Sequence, residues 1–474
     1  MSIPGHEHAP RLVELVTDHL ETPSLDDRVY RVVRLPNQLE VLLVHDPQTD
    51  KASAAMDVNV GYFGDEIDMP GAAHAVEHLL FMGTKKYPEE DAYCKYLSSH
   101  SGYSNAYTAA TSTNYYFEVA GRPSNGEEPS ESNPSPLKGA LDRFAQFFIE
   151  PLFLASTLDR ELRAVDSENK KNLQSDTWRL GQLERSLSNP QHPYCHFSTG
   201  NLEVLKTQPE ARGVDVRQKF IEFYEKHYSA NRMKLVVLGR EPLDVLASWV
   251  SDYFSDIKDK NLEPNRWSDA APFGPEQLRM QCFAKPVMDL RELNLFFPFI
   301  DEEHLYEAQP SCYLTHLIGH EGPGSIMSYI KAKGWANGLV TGATPVCPGT
   351  PGIFDCKVRL TEKGLENYKE IVKVIFQYIS LLRETPPQDW IFWELKKMAD
   401  VHFKFEQKTP PSQFTSKIAT VMQQPLPREW LLSGRTRLRK FDPELIKRAI
   451  DCLRPDNFRM SIVSRDFPGN WDKK

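Results

Sequence analysis

Along the first part of the chain, Val41 to Val44 form an apolar run, and Met56, Val58, Val60 and Tyr62 recur at every second position. This is the pattern of strands with one buried face. The period then lengthens, predicting helices over 72–82, 90–99, 137–149 and about 156–188. In the third of these, Leu137, Leu141, Phe144 and Phe148 share one face at i, i+4, i+7 and i+11. Between the helices, Asn114 to Val119 (NYYFEV) has strand composition. Mixed strands and helices predict an α+β fold.

Two polar stretches interrupt the pattern. GRPSNGEEPSESNPSP at 121–136 holds too little apolar surface to order itself and reads as a mobile surface insertion. IKDKNLEPNRWSDAAPFGPE at 257–276 reads as a linker. A chain of 474 residues exceeds one ordinary core. The expected division is therefore a first domain at 1–256, the linker at 257–276 and a second domain at 277–474.

The second domain echoes the first. YSANRMKLVVLGRE from Tyr228 resembles LRPDNFRMSIVSRD from Leu453, and each enters an apolar strand after an amphipathic helix. HAVEH at 74–78, a strand with FEV at 117–119 and a helix are matched by HLIGH at 316–320, FDCKV at 354–358 and a helix through Ile371, Ile375 and Ile379. The expectation is one structural unit used twice.

The first copy carries candidate chemistry. On a helix, His74, Glu77 and His78 project from one face at i, i+3 and i+4. Two imidazoles so spaced can share a zinc ion, with the carboxylate beside the metal's water acting as general base. Two surface histidines and a glutamate would give the same letters, but chance predicts only roughly 0.03 HxxEH matches in a chain of this composition. A third ligand must come from elsewhere. The predicted helix from about 156 offers Glu161 and Glu168, seven residues apart on one face.

Composition narrows the partners. A formal charge of -9 argues against nucleic acid, which demands a basic surface. No run approaches the roughly 20 apolar residues that cross a bilayer, so no membrane association is expected. MSIPGHEHAPRL lacks the features of a secretory signal, and NWDKK matches no retention or peroxisomal address. Seven scattered cysteines without CxxC spacing fit reduced thiols in the cytoplasm.

Four stretches occur in order: GAAHAVEHLLFMGTKKYP, SGYSNAYTAATSTNYYFEV, ELRAVDSENKKNLQSDTWRL and NPQHPYCHFSTGN. Together they resemble the first half of the insulin-degrading enzyme and pitrilysin group of inverted-motif zinc peptidases, over nearly the whole chain. The resemblance implies two homologous domains, each a mainly antiparallel sheet with helices packed on it. It also implies one zinc ion per chain held by His74, His78 and Glu168, with Glu77 as general base and Glu161 as supporting acid. Asn105 and Ala106 match an edge strand that holds the substrate backbone, a geometry with little sequence demand. Phe81, Tyr107 and Trp178 match positions lining the cleft.

In the second domain, HLIGHEGPG and GWANGLVTG match a remote site that anchors a substrate's N-terminal end. The corresponding positions are His316, Gly319, Glu321, Leu339, Thr341 and Gly342. The repeat alignment puts Gly319 where Glu77 stands, pairs Glu394 with Glu161 and leaves Val401 where Glu168 stands. The second domain is thus expected to be non-catalytic. HPYCH at 192–196 is expected to be a packed turn, since Pro193 opposes a regular helix.

In the family, a C-terminal half of similar size closes around short peptides. This chain stops at Lys474, so a fragment with weak or negligible turnover of its own is expected. A zinc-containing module that holds peptides without cutting them, and a peptide-maturing processing protease, remain alternatives. A homodimer is a further arrangement this reading allows.

Overall fold

The apolar run at 41–44 becomes strand β3 (Glu40–His45), the third of seven strands that the described residues form in the first sheet. The others are β1 (Glu14–Thr17), β2 (Val29–Arg34), β4 (Lys51–Val58), β5 (Tyr103–Thr108), β6 (Thr113–Ala120) and β7 (Met233–Gly239). Their spatial order is β1-β2-β3-β7-β4-β6-β5. The expected alternation through Val60 and Tyr62 stops short: β4 ends at Val58, and Tyr62–Gly64 is a turn of 3₁₀ helix. Backbone bonds from Tyr62 and Phe63 to the carbonyls of Ala109 and Ala110 divert the chain there.

The computed structural model describes residues 13–467 and residue 472. The readings of MSIPGHEHAPRL and NWDKK lie outside the described residues, apart from Asp472. Among the described residues, no helix is long and apolar enough to cross a membrane.

The predicted helices appear as α1 (Ala72–Leu80), α2 (Ala92–Ser99), α3 (Pro136–Ala145) and α4 (Ala155–Asn172). The helix expected to run on to 188 instead breaks after Asn172 and resumes as α5 (Asp176–Ser186). Residues 121–135 hold no regular element, and Ser135 caps α3 by accepting from the Leu137 amide at 3.2 Å.

One face of the first sheet, with Val41, Leu43, Ala54, Met56, Leu235 and Val237, packs under α1 and α3. The reverse face, with Leu42, Val44, Ala55, Val236 and Leu238, is covered by Phe414, Ile418, Ala419 and Met422 from the helix Pro411–Val421 and its C-cap.

A second sheet contains β8 (Gln281–Ala284), β9 (Glu292–Phe299), β10 (Ala336–Thr344), β11 (Gly352–Leu360) and β12 (Arg459–Val463), in the order β10-β11-β9-β12-β8. Read from β8, it repeats the order β3-β7-β4-β6-β5. In each sheet the late strand, β7 or β12, is parallel to one neighbour and antiparallel to the other. The HLIGH helix (Pro310–Ile318) lies between β9 and β10, as α1 lies between β4 and β5. The architecture is α+β.

Contacts group the chain into two compact units. One comprises residues up to Ser167, Ser198–Asn265 and Lys404–Gly434; the other comprises Glu168–Phe197, Arg266–Phe403 and residues from Arg435. One border falls inside 257–276. The others differ from the composition-based division because 404–434 supplies the helix on the first sheet's reverse face, and α5 packs with the second unit. Asp176 accepts from the amides of Val287 and Met288 at 2.6 and 2.9 Å. Arg459 donates to the carbonyls of Leu187 and Glu184, each at 3.0 Å.

Candidate metal centre

Helix α1 starts at Gly71, whose φ of 95° suits a residue without a Cβ. Gly71 provides no side-chain cap, so the buried Asp65 carboxylate serves instead, accepting from the amides of Gly71 at 2.6 Å and Ala73 at 2.8 Å. Ala72, Ala73, Ala75, Val76, Leu79 and Leu80 are buried. That packing turns His74, Glu77 and His78 to one side. The two imidazole centroids are 5.0 Å apart, and the Glu77 side chain is only 6% exposed.

Helix α4 runs unbroken from Ala155 to Asn172 and carries both expected glutamates. Ligand atoms of His74, His78 and Glu168 all lie within 4.8 Å of one another, and among the described residues this is the one such group. Glu161 sits two turns earlier, with Oε2 3.3 Å from His78 Nδ1. Its carboxyl is held below the ordinary range by that imidazole, against the opposing effect of burial, with Arg160 adding to the lowering.

The set fits zinc. His74 Nδ1 donates to the Thr199 carbonyl at 2.7 Å, and His78 Nδ1 faces Glu161 at 3.3 Å, so each imidazole is oriented through Nδ1 and would offer Nε2 to a metal. Donor atoms about a tetrahedral zinc stand roughly 3.4 Å apart, close enough to the observed spread for modest side-chain rotation to gather them.

The remaining expected residues fall in several places. Among the described residues, β5, which carries Asn105 and Ala106, is the edge strand of its sheet and pairs only with β6. Along it Ala106 and Thr108 face α1, and Thr108 Oγ1 donates to Glu77 Oε2 at 2.6 Å. Tyr107 points to the reverse face, its hydroxyl 3.1 Å from Thr420 Oγ1. Phe81 caps α1 and is half-buried against Tyr93, Tyr115 and Phe147. Trp178 lies on α5 and is 46% exposed.

In the second unit, the helix bearing His316 ends at Ile318. Gly319 is its C-cap and His320 lies beyond the helix, with the two imidazole centroids 5.8 Å apart. Leu339, Thr341 and Gly342 lie on β10, the edge strand equivalent to β5, and Thr341 Oγ1 donates to the Thr315 carbonyl at 3.3 Å. Gly319 is needed there, because a Cβ would stand 2.8 Å from that same carbonyl oxygen. Glu321 is exposed. His192 is buried and accepts from the Tyr194 amide at 3.0 Å, at the head of a 3₁₀ turn.

The family described as Insulinase (Peptidase family M16) matches residues 40–191, the Peptidase M16 inactive domain matches 215–399, and the middle or third domain of that peptidase matches 403–474. Human insulin-degrading enzyme is 44% identical over 461 residues, 97% of this chain. The chain belongs to peptidase family M16.

Other M16 relatives include the Saccharomyces cerevisiae A-factor-processing enzyme, 44% identical over 94% of the chain, and a Schizosaccharomyces pombe protein with zinc protease in its name, 45% identical over 98%. The chain spans a little under half the length of these relatives, 42–46%. Among solved structures, pitrilysin superposes with a TM-score of 0.90 at 31% identity, covering 97% of this chain and 47% of that one. The first half of the periplasmic protease PqqL from Escherichia coli covers 94% and 93%, with a TM-score of 0.71 at 15% identity, a likeness of fold alone.

At this candidate site, sequence reasoning did not assign the partners of two side chains. The Thr199 carbonyl orients His74, and a backbone oxygen leaves no mark in residue type. The Thr108 hydroxyl holds Glu77; its position three residues past Asn105 on an alternating strand was the available signal.

Proposed function

We propose that this chain is the zinc-bearing half of an endopeptidase acting on short peptides. His74, His78 and Glu168 hold the metal and Glu77 moves the protons. The observation that carries the reading is the convergence of those three ligand atoms beside a buried carboxylate. When bound, zinc would polarise the scissile carbonyl and lower the pKa of water toward about 7.

Glu77, with one oxygen held by Thr108, takes the proton of the attacking water and returns it to the departing amine nitrogen. The water oxygen ends on the acyl carbon as the C–N bond breaks. Glu161 keeps His78 in the tautomer with its proton on Nδ1, as the Thr199 carbonyl does for His74. The open edge of β5 at Asn105 and Ala106 takes the peptide as an added strand, so main-chain bonds position it with little demand on sequence. Phe81 and Trp178 would line the cleft; Tyr107 is better suited to supporting the strand from behind.

The relatives named for degrading insulin and processing A-factor support peptides as the substrate class, and the latter name favours peptide maturation as a second reading. In our reading the second sheet is a non-catalytic partner. His316, Gly319, Glu321, Leu339, Thr341 and Gly342 anchor a peptide end along β10, and a C-terminal half completes the enzyme for full turnover. A cytoplasmic setting is supported by seven cysteines scattered along the chain without CxxC spacing.

A fluorogenic peptide assay, with and without chelator and with and without a supplied C-terminal half, tests this reading. Chelator-sensitive cleavage that disappears in Glu77→Gln is expected. Equal cleavage by that variant would end the assignment of Glu77.

A further inference from the structure

We propose that Thr108 is a positioning residue for Glu77, through which the strand that receives the peptide also sets the direction of the general base. The inference rests on the peptidase reading of the site. Thr108 is the last residue of β5, and Ala106 and Thr108 both face α1. Its hydroxyl has a single proton, and an ionised carboxylate can only accept, so the 2.6 Å bond runs from Thr108 to Glu77 Oε2. A charge-assisted bond of this kind to a carboxylate only 6% exposed is stronger than a neutral one.

The surrounding backbone makes Thr108 a stiff mount. Its strand partner is Thr113, whose hydroxyl donates to the Val60 carbonyl at 2.7 Å. The next residue, Ala109, donates to Ser112 O at 2.8 Å and accepts from the Tyr62 amide at 3.1 Å. Ala110 O accepts from Phe63 at 3.0 Å. Gly61 lets these segments close, since a Cβ there would stand 2.0 Å from Ala109 O. Threonine itself has a restricted χ1. The hydroxyl therefore holds one carboxylate oxygen in place from a rigid strand end, leaving less of the base's orientation to be found during the reaction.

The test compares Thr108→Val and Thr108→Ser with wild type in the zinc-loaded protein, assayed with the C-terminal half supplied. Zinc content, melting temperature and the affinity of a peptide hydroxamate are measured alongside cleavage. Thr108→Val is expected to lower kcat about 10- to 100-fold with KM within about twofold, because the peptide is held by backbone while the base is misdirected. It should keep its zinc and bind the hydroxamate about tenfold more weakly. Thr108→Ser should restore kcat to within about threefold.

A Thr108→Val protein with wild-type kcat overturns the proposal while leaving the peptidase reading intact. So does a loss that serine does not rescue, or one that follows loss of zinc. A zinc-loaded wild type that neither cleaves peptide nor binds the hydroxamate overturns the peptidase reading and this proposal with it.

Discussion

Replacing Gly71 by alanine should weaken zinc binding from outside the ligand set. Gly71 has φ of 95°, and a Cβ there would stand 2.4 Å from the Gly200 Cα and 2.7 Å from its nitrogen, both backbone atoms that cannot rotate aside. Relief to about 3.4 Å, an ordinary van der Waals separation, needs a displacement of about 1 Å. Thr199 is bonded directly to Gly200, and its carbonyl stands 2.7 Å from His74 Nδ1; a displacement of that size away from the imidazole would break that bond. Left-handed backbone at a Cβ-bearing residue costs about 1–2 kcal/mol, and loss of a bond that orients a metal ligand costs about 10- to 100-fold in affinity. Gly213→Ala is the control, because Gly213 has φ of 77° and a Cβ there meets nothing within 4 Å. Competition against a chromophoric chelator should show zinc weakened about 10- to 100-fold in Gly71→Ala and unchanged in Gly213→Ala, with both melting lower than wild type. Wild-type zinc affinity in Gly71→Ala would refute the reasoning.

Other outcomes follow from the same geometry. Burial pushes the Glu40 carboxyl up, but Lys234 at 2.7 Å and Arg428 at 2.6 Å outweigh it and hold it at about 2. A carboxylate depressed on folding contributes stability above its unfolded value near 4.5 and loses it as pH falls toward 2. The amount is about 3 kcal/mol, so Glu40→Gln should flatten the acid limb of the stability curve and destabilise at neutral pH. Arg459, buried over the rings of Phe273 and Phe296 at 5.0 and 4.5 Å, should cost about 3–5 kcal/mol when changed to alanine, read by hydrogen exchange in β9 and β12. The double change His316→Ala with His320→Ala should leave zinc content at one per chain, measured by metal analysis; a drop would reveal a site the broken helix opposes.

The HxxEH helix was legible because its three polar positions share one face of an otherwise apolar segment, and α1 buries the rest of that segment. The repeat was legible for a similar reason: both copies keep the same apolar strand after an amphipathic helix, and both sheets keep the same strand order. The break between α4 and α5 was not. Leu173, Gln174 and Ser175 include neither proline nor glycine, and α5 is tied by Asp176 to amides more than a hundred residues away. The helix Pro411–Val421 escaped assignment to the first sheet because its contacts are long-range, as in the 2.7 Å pair of Ser53 and Thr415. Expected cleft residues divided by strand alternation: Ala106 faces α1 and Tyr107 faces away.

Zinc stoichiometry tests the central claim most directly. Folded chain supplied with zinc at neutral pH, then dialysed, should retain one zinc ion, and Glu77→Gln should retain the same. His78→Ala should retain less than about a tenth as much, since a second histidine and one carboxylate do not complete a three-ligand site. A folded, metal-supplemented wild type that holds no zinc would contradict the account.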